Sequence, residues 1–172
     1  MQDRTVKRIR IIGSVGSGKT TLARKLSEEL NIHCYELDNV VWERNLAGDR
    51  RRTEEERTEC MDTILKSEDW IIEGVHNEEW TVGSFREADI ILFLDPAYSI
   101  RIYRIIKRFI LQKLGREKAH YKVTYGIFLK MFKWNKYFEQ NGKPNFFKNY
   151  SLYTDKIVVL KNKKQLKEFQ KG

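Results

Sequence analysis

The stretch Ile9–Leu26, IRIIGSVGSGKTTLARKL, decides the fold. The run KRIRIIG is short and apolar, bounded by basic residues and glycine, as expected for a buried strand of a parallel sheet. From Lys19 to Leu30 the leucines recur every four residues, at Leu22, Leu26 and Leu30, which predicts a helix with one apolar face. Between them, Gly13-Ser14-Val15-Gly16-Ser17-Gly18-Lys19-Thr20 matches G-x-x-x-x-G-K-[ST] in full. Glycines let the backbone curl so that successive amides point at phosphate oxygens, and the following helix offers its positive N-terminus to the same anion. In this pattern Lys19 reaches the β- and γ-phosphates of a nucleoside triphosphate, and the Thr20 hydroxyl holds Mg²⁺.

Working outward, IHCYELD reads as a second strand ending on Asp38. RTEEERTECMDTIL reads as a helix with Thr53 and Glu56 at capping-box spacing and Ile64 and Leu65 as inward anchors. WIIEG and DIILFLD are the third and fourth strands. Ser99–Leu114 is a predicted helix whose exposed side carries Arg101, Arg104, Lys107 and Arg108. TYGIFLKMFKWNKYF has helical steps at Tyr125, Phe128, Leu129 and Phe132, and NGKP (Asn141–Pro144) marks a break. KIVVL is the last strand and KKQLKEF a closing helix. Strands alternating with helices predict an α/β fold whose parallel sheet is covered on both faces.

At 172 residues the chain is read as a single domain, residues 1–172, with a helical lid or insertion around 108–153 interrupting the alternation. Cys34 and Cys60 form neither ligand spacing nor a disulfide framework, and nothing near Met1 resembles a cleavage signal, so a reduced, cytoplasmic protein is expected. No apolar run approaches the roughly 18 to 20 residues that span a bilayer. The net charge of +9 is unevenly placed. Met1–Asp95 carries 14 Lys and Arg against 20 Asp and Glu, whereas Pro96–Gly172 carries 19 against 4 and holds 15 of the 21 aromatics. That basic half suits a nucleic-acid surface, or a solvated lysine face over an aromatic core.

Binding phosphate is not yet chemistry. Transfer further needs an acid near the metal, cations that follow the moving charge, and a group that presents an acceptor. Asp38, at a strand end, suits the acceptor hydroxyl or a turn cap. Glu73, beside Gly74, suits a water of the Mg²⁺ shell. Arg104 and Arg108 are four apart on one helical face and suit phosphate oxygens or a solvated basic face. His33, His76 and His120 lack metal-ligand spacing, and His76 alone falls near the presumed site, as a pocket-lining residue. Trp42 lies over an acceptor base or covers the core, the second being the simpler reading.

Together GSVGSGKTTLARKL, LDNVVWE, WIIEG and ADIILFLDPAYSIRIYRIIKR resemble the adenylate-kinase-like P-loop kinases, and more closely the bacterial DNA topology modulation proteins (FlaR-type). FLKMFKWNKYF and DKIVVLKNKKQLKEF are similar to that group too, so the resemblance covers nearly the whole chain. It implies a P-loop NTPase fold with a five-stranded parallel sheet in the order 2-3-1-4-5, as in nucleoside monophosphate kinases. It also implies ATP and Mg²⁺ as cofactors, with Gly13, Ser14, Gly16, Ser17, Gly18, Lys19, Thr20 and Thr21 on the phosphates and metal. By the same resemblance Glu73-Gly74 is the pair facing the metal's water shell. For Arg104 and Arg108, nine and thirteen residues after Asp95, it implies that one lies over the adenine and the other on the transferring phosphate, at the start of a mobile lid. Asp38 resembles a substrate-side acid, and the turn Lys161–Lys163, with Asn162, is similar in position to the loop holding the adenine edge.

The pattern departs after Gly74. Where nucleoside monophosphate kinases show a Phe-Pro-Arg run whose arginine grips the acceptor phosphate, this chain reads Val75-His76-Asn77. Arg44, Arg86 and Arg101 are the candidate replacements. The expected function is ATP-dependent, Mg²⁺-requiring phosphate transfer to a small acceptor held by Asp38, Trp42, Gly74 and His76, with Lys19, Arg104 and Arg108 stabilising the transfer. The alternatives are a nucleotide-switched DNA-binding protein and an ATPase without acceptor.

Overall fold

The computed structural model describes residues 6–45, 48–117 and 123–169. Five parallel strands form one sheet: β1 (Arg8–Gly13), β2 (Cys34–Glu36), β5 (Trp70–Glu73), β6 (Ile90–Leu94) and β7 (Ile157–Leu160), side by side in the order β2-β5-β1-β6-β7. Counted along this sheet alone, that is the expected 2-3-1-4-5. A second sheet, absent from the sequence reading, is the two-residue antiparallel pair β3 (Trp42–Glu43) and β4 (Arg50–Arg51).

Successive strand residues face opposite sides of the sheet, and each side has its own core. Ile9, Ile11, Ile71, Leu92 and Leu94 pack with Leu22, Ala23 and Leu26 of α1 (Lys19–Leu30). Ile12, Ile72, Ile91 and Phe93 pack on the other face with Leu37 and Val40 of α2 (Leu37–Val41) and with Met61 and Ile64 of α3 (Glu54–Leu65). Phe85 of α4 (Val82–Glu87) completes that side. Thr53 and Glu56 close the expected capping box at the start of α3. Leu30, in contrast, the last residue of α1, is 46% exposed.

The second half is more continuous than its sequence suggested. After α5 (Tyr98–Lys113), helix α6 (Tyr125–Tyr137) passes through a π-helical turn at Phe138–Gly142 into α7 (Lys143–Asn149). NGKP is therefore not a break. The wider turn lets the Lys143 amide reach back to the Phe138 carbonyl, and Pro144 falls in the first turn of α7, where its missing N–H costs little. The buried face of α6 is Met131 and Asn135, continued by Phe138, while Tyr125 and Leu129 point outward. Phe138, Phe146 and Tyr150, from the segment expected as lid, belong to the core. Residues 118–122 of that segment, including His120, lie outside the described residues. The chain closes with α8 (Lys163–Phe169). No helix among the described residues is long and apolar enough to cross a membrane.

Candidate active site

The central strand β1 delivers its chain to the loop Gly13–Gly18 at the carboxyl edge of the sheet, where ligands of open α/β sheets bind. Gly16 and Gly18 have φ of 76° and 97°, and a Cβ on Gly16 would stand 2.8 Å from the Arg101 carbonyl oxygen. Only glycine relieves both constraints. Gly18 is the N-cap of α1 and supplies no side chain to its first turn, which also lacks acids. The helix therefore presents unsatisfied amides and the positive end of its dipole to the loop.

Thr20 Oγ1 donates to Glu73 Oε1 at 2.8 Å, joining the start of α1 to the end of β5. Glu73 is 4% exposed and its Oε2 has no partner among the described residues. Burial pushes its carboxyl above the ordinary value, with Lys19 and the Thr20 hydroxyl opposing. Gly74 follows with no room for a side chain, since a Cβ would lie 2.7 Å from Leu37 Cβ.

Asp38 does not close a strand. Pairing between β2 and β5 ends at Glu36 opposite Glu73, and the chain then turns into α2, with Asp38 in its first turn. The residue still reaches the site: His76 Nε2 lies 3.6 Å from Asp38 Oδ1, and His76 Nδ1 3.2 Å from Glu78 Oε2. The His76 contact holds the Asp38 carboxyl below its usual range, and Lys19 and Arg44 act in the same direction. Trp42 is 38% exposed at the start of β3, so it is not the core cover its sequence suggested.

The α5 arginines divide. Arg104 Nη1 donates to the carbonyls of Gly16 (3.2 Å) and Ser17 (2.7 Å), lying against the loop itself. Arg108 turns toward α6, with Nη2 3.6 Å from Met131 Sδ. Arg101 is not on the exposed side at all. It is 1% exposed and ion-paired through Nη2 with Glu139, so it is not a spare cation for an acceptor. Lys143 joins this network at Asp95 (2.6 Å) and Glu139 (3.7 Å). Arg44 pairs with Asp49, and Arg86 lies 3.5 Å from Glu87. Past β7, the Lys161 amide and the Asn162 side chain hydrogen-bond Gln165, an N-terminal cap for α8. Thr21 is exposed on α1.

Two buried residues of the site were missed. Arg10, fully buried in β1, donates to Ser84 Oγ (3.2 Å) and to the carbonyls of Ile11 (2.6 Å), Ile72 (3.3 Å), Gly74 (3.2 Å) and His76 (2.8 Å), with its guanidinium over Phe85. Burial lowers its pKa to about 10, so it remains charged at neutral pH. A single arginine inside an apolar run was the available signal. Asn135, fully buried on α6, accepts a 2.9 Å hydrogen bond from Ser14 Oγ. Its amide nitrogen and Ser17 Oγ are unpartnered among the described residues.

The residues present fit Mg²⁺, since a hydroxyl and a buried carboxylate with one unsatisfied oxygen adjoin the anion-binding end of α1. No group of three or more His, Cys, Asp or Glu among the described residues forms a metal cluster of its own.

The AAA domain model matches residues 9–119. No curated protein matches the chain. Among solved structures, shikimate kinase from Acinetobacter baumannii in complex with shikimate aligns with a TM-score of 0.56 at 14% identity, covering 92% of this chain and 84% of that one. Shikimate kinase from Bacteroides thetaiotaomicron aligns with a TM-score of 0.53 at 17% identity, covering 91% and 87%.

Proposed function

The chain belongs to the AAA domain family and has an α/β P-loop NTPase fold, and from that premise we propose that it is an ATP-binding, Mg²⁺-dependent phosphotransferase acting on a small hydroxyl-bearing acceptor. The observation that carries this reading is the pairing of two half-sites. Thr20, Glu73 and the uncapped start of α1 face the donor, and Asp38, close enough to Lys19 to feel its charge, faces the acceptor. The acceptor oxygen bonds to the γ-phosphorus, the bond from that phosphorus to the bridging oxygen breaks, ADP departs and the hydroxyl proton passes to Asp38. Lys19, Arg104 and Arg108 offset the charge that develops on the transferring group. Bound at Thr20 and Glu73, Mg²⁺ supplies charge neutralisation on the phosphate oxygens. Trp42, Gly74 and His76 line the acceptor side, and Lys161 and Asn162 hold the adenine edge.

Shikimate kinases, which are similar to the chain in fold, support a small-molecule acceptor. Here the acceptor is a small molecule or nucleotide, and we place the chain in the topology modulation group on the motifs from Gly13 to Phe169. Titrating ATP with Mg²⁺ is expected to raise the thermal midpoint. At a ligand concentration 100 times Kd the gain is about 2.7 kcal/mol. A screen with γ-labelled ATP against sugars, nucleosides and nucleotides is expected to yield a Mg²⁺-dependent product. Hydrolysis unaffected by every acceptor would instead identify an ATPase.

A second reading, a nucleotide-switched nucleic-acid-binding protein, is favoured by one feature. Helices α5 and α6 contain no Asp or Glu, and they expose Tyr103, Tyr125, Trp134 and Tyr137 among Lys107, Lys113, Lys130, Lys133 and Lys136. Rings for base stacking and cations for phosphate are what a single strand requires. On this reading log affinity for single-stranded DNA falls with log salt by about 0.7 per phosphate neutralised, and shifts when ATP is added. A flat response near physiological salt removes the reading.

A further inference from the structure

Three residues beyond the end of β5, His76 sits between two carboxylates. Its Nε2 is 3.6 Å from Asp38 Oδ1, and its Nδ1 is 3.2 and 3.3 Å from the two Glu78 oxygens. We propose that His76 is a positioning residue of the acceptor site: its imidazole, bridged between Asp38 and Glu78, holds the Asp38 carboxylate toward the acceptor hydroxyl. The acceptor role rests on the phosphotransfer reading above, while the bridge itself rests on geometry.

Three observations carry it. The Asp38 side chain is 71% exposed on a five-residue helix, and His76 is the one side chain among the described residues within ion-pair reach of it. Without such a partner an exposed carboxylate samples several rotamers, and each productive encounter must order it again. His76 itself is held firmly. Its side chain is 19% exposed, its ring lies 5.6 Å from the buried Trp80 ring, and its carbonyl accepts from the fully buried Arg10 at 2.8 Å. The next carbonyl, of Asn77, accepts from the Tyr150 hydroxyl at 3.5 Å. Finally, both ring nitrogens face carboxylate oxygens, within hydrogen-bond distance at Glu78 and ion-pair distance at Asp38, an arrangement that favours the doubly protonated ring.

The surrounding charges agree with this arrangement. Lys19 from α1 and Arg44 beyond β3 favour the ionised Asp38, Arg57 from α3 favours the ionised Glu78, and Asp38 in turn opposes ionisation of Glu73 at the end of β5. Burial works against charge on His76, and the two carboxylates outweigh it, so its pKa is raised. A raised histidine contributes stability that is fully present below its ordinary pKa and is lost as pH climbs through the raised value. The same imidazolium makes Asp38 a weaker base. That suits a loose phosphoryl-transfer transition state, in which the hydroxyl proton leaves late and alignment matters more than basicity.

The test combines an NMR titration with kinetics. The ring signals of His76, assigned by their loss in His76→Gln, are followed against pH in the wild type and in Asp38→Asn and Glu78→Gln. The bridge predicts a titration above the usual histidine range that moves down in both carboxylate variants; a position unchanged in Asp38→Asn overturns it. With γ-labelled ATP and a panel of nucleosides and polyols as probe acceptors, His76→Gln is expected to lower kcat/KM for the acceptor at least tenfold. The KM for ATP should not change, and the acid limb of the pH profile should move to higher pH. Full transfer by His76→Gln with an unmoved acid limb overturns the positioning role. A wild-type protein that transfers to no member of the panel overturns the phosphotransfer reading, and with it the acceptor role, while the titration still decides whether the bridge exists.

Discussion

Replacing Lys19 by alanine is expected to cut ATP-dependent phosphoryl transfer by roughly 10³-fold or more, with the fold intact. The asymmetry follows from its surroundings. Lys19 is half-buried in the first turn of α1, and no hydrogen bond or ion pair ties its ammonium down among the described residues. It therefore contributes little to folding, and its charge is directed at Glu73 and Asp38, both of which it biases toward ionisation. Without it, both carboxyls gain proton affinity just where the γ-phosphate loses its cation. The check is initial-rate transfer from labelled ATP beside a thermal melt. A variant that keeps more than about a tenth of wild-type transfer contradicts the assignment of Lys19 to the moving charge.

The second large effect concerns stability rather than rate. Arg10→Met is expected to lower unfolding free energy by roughly 3 kcal/mol or more, because a methionine fills much of the volume but donates nothing. The Ile11 and Ile72 carbonyls lie in paired strands, but Gly74, His76 and Ser84 would lose a buried donor. Each buried polar atom left without a partner costs about 1–3 kcal/mol. Urea denaturation should show a lower midpoint at unchanged slope. A midpoint matching the wild type would mean that the loop from Gly74 to His76 is held by something other than Arg10. The variant is also expected to loosen His76, so acceptor binding should weaken before the protein unfolds.

Locally encoded features were legible in the sequence. The loop, α1 and the capping box at Thr53 each depend on residues within a few positions of one another, and all stand where they were expected; the order of the strands, which joins residues 62 and 81 positions apart, was implied only by the family resemblance. Glu73 beside Thr20 was legible too, because a strand end is a place as well as a pattern. Asp38 was misplaced for a physical reason. IHCYELD alternates like a strand, but pairing stops at Glu36, where the partner strand stops. Period alone cannot report the length of a neighbour. The sequence places Arg101 on an exposed face because arginines on a basic helix usually are exposed, whereas its partner Glu139 is 38 residues away. Ser14 and Asn135 are 121 residues apart. Contacts of that range leave no trace in spacing, and Arg10 shows the converse, a charge concealed inside an apolar run.

The strand order carries a kinetic consequence. The first strand made is the centre of the sheet, and its two neighbours begin at Trp70 and Ile90. Until about residue 94 has left the ribosome, β1 has no complete pair of edges and the loop after it no rigid support. Closing loops of 60 to 80 residues before any ladder rewards them favours slow folding, with apolar strands waiting unpaired. Ile9, Ile11 and Ile12 thus wait unpaired and open to aggregation in a nascent chain. The helix following them, which can form early and cover one face, serves as their shelter during synthesis as well as the phosphate's seat afterwards.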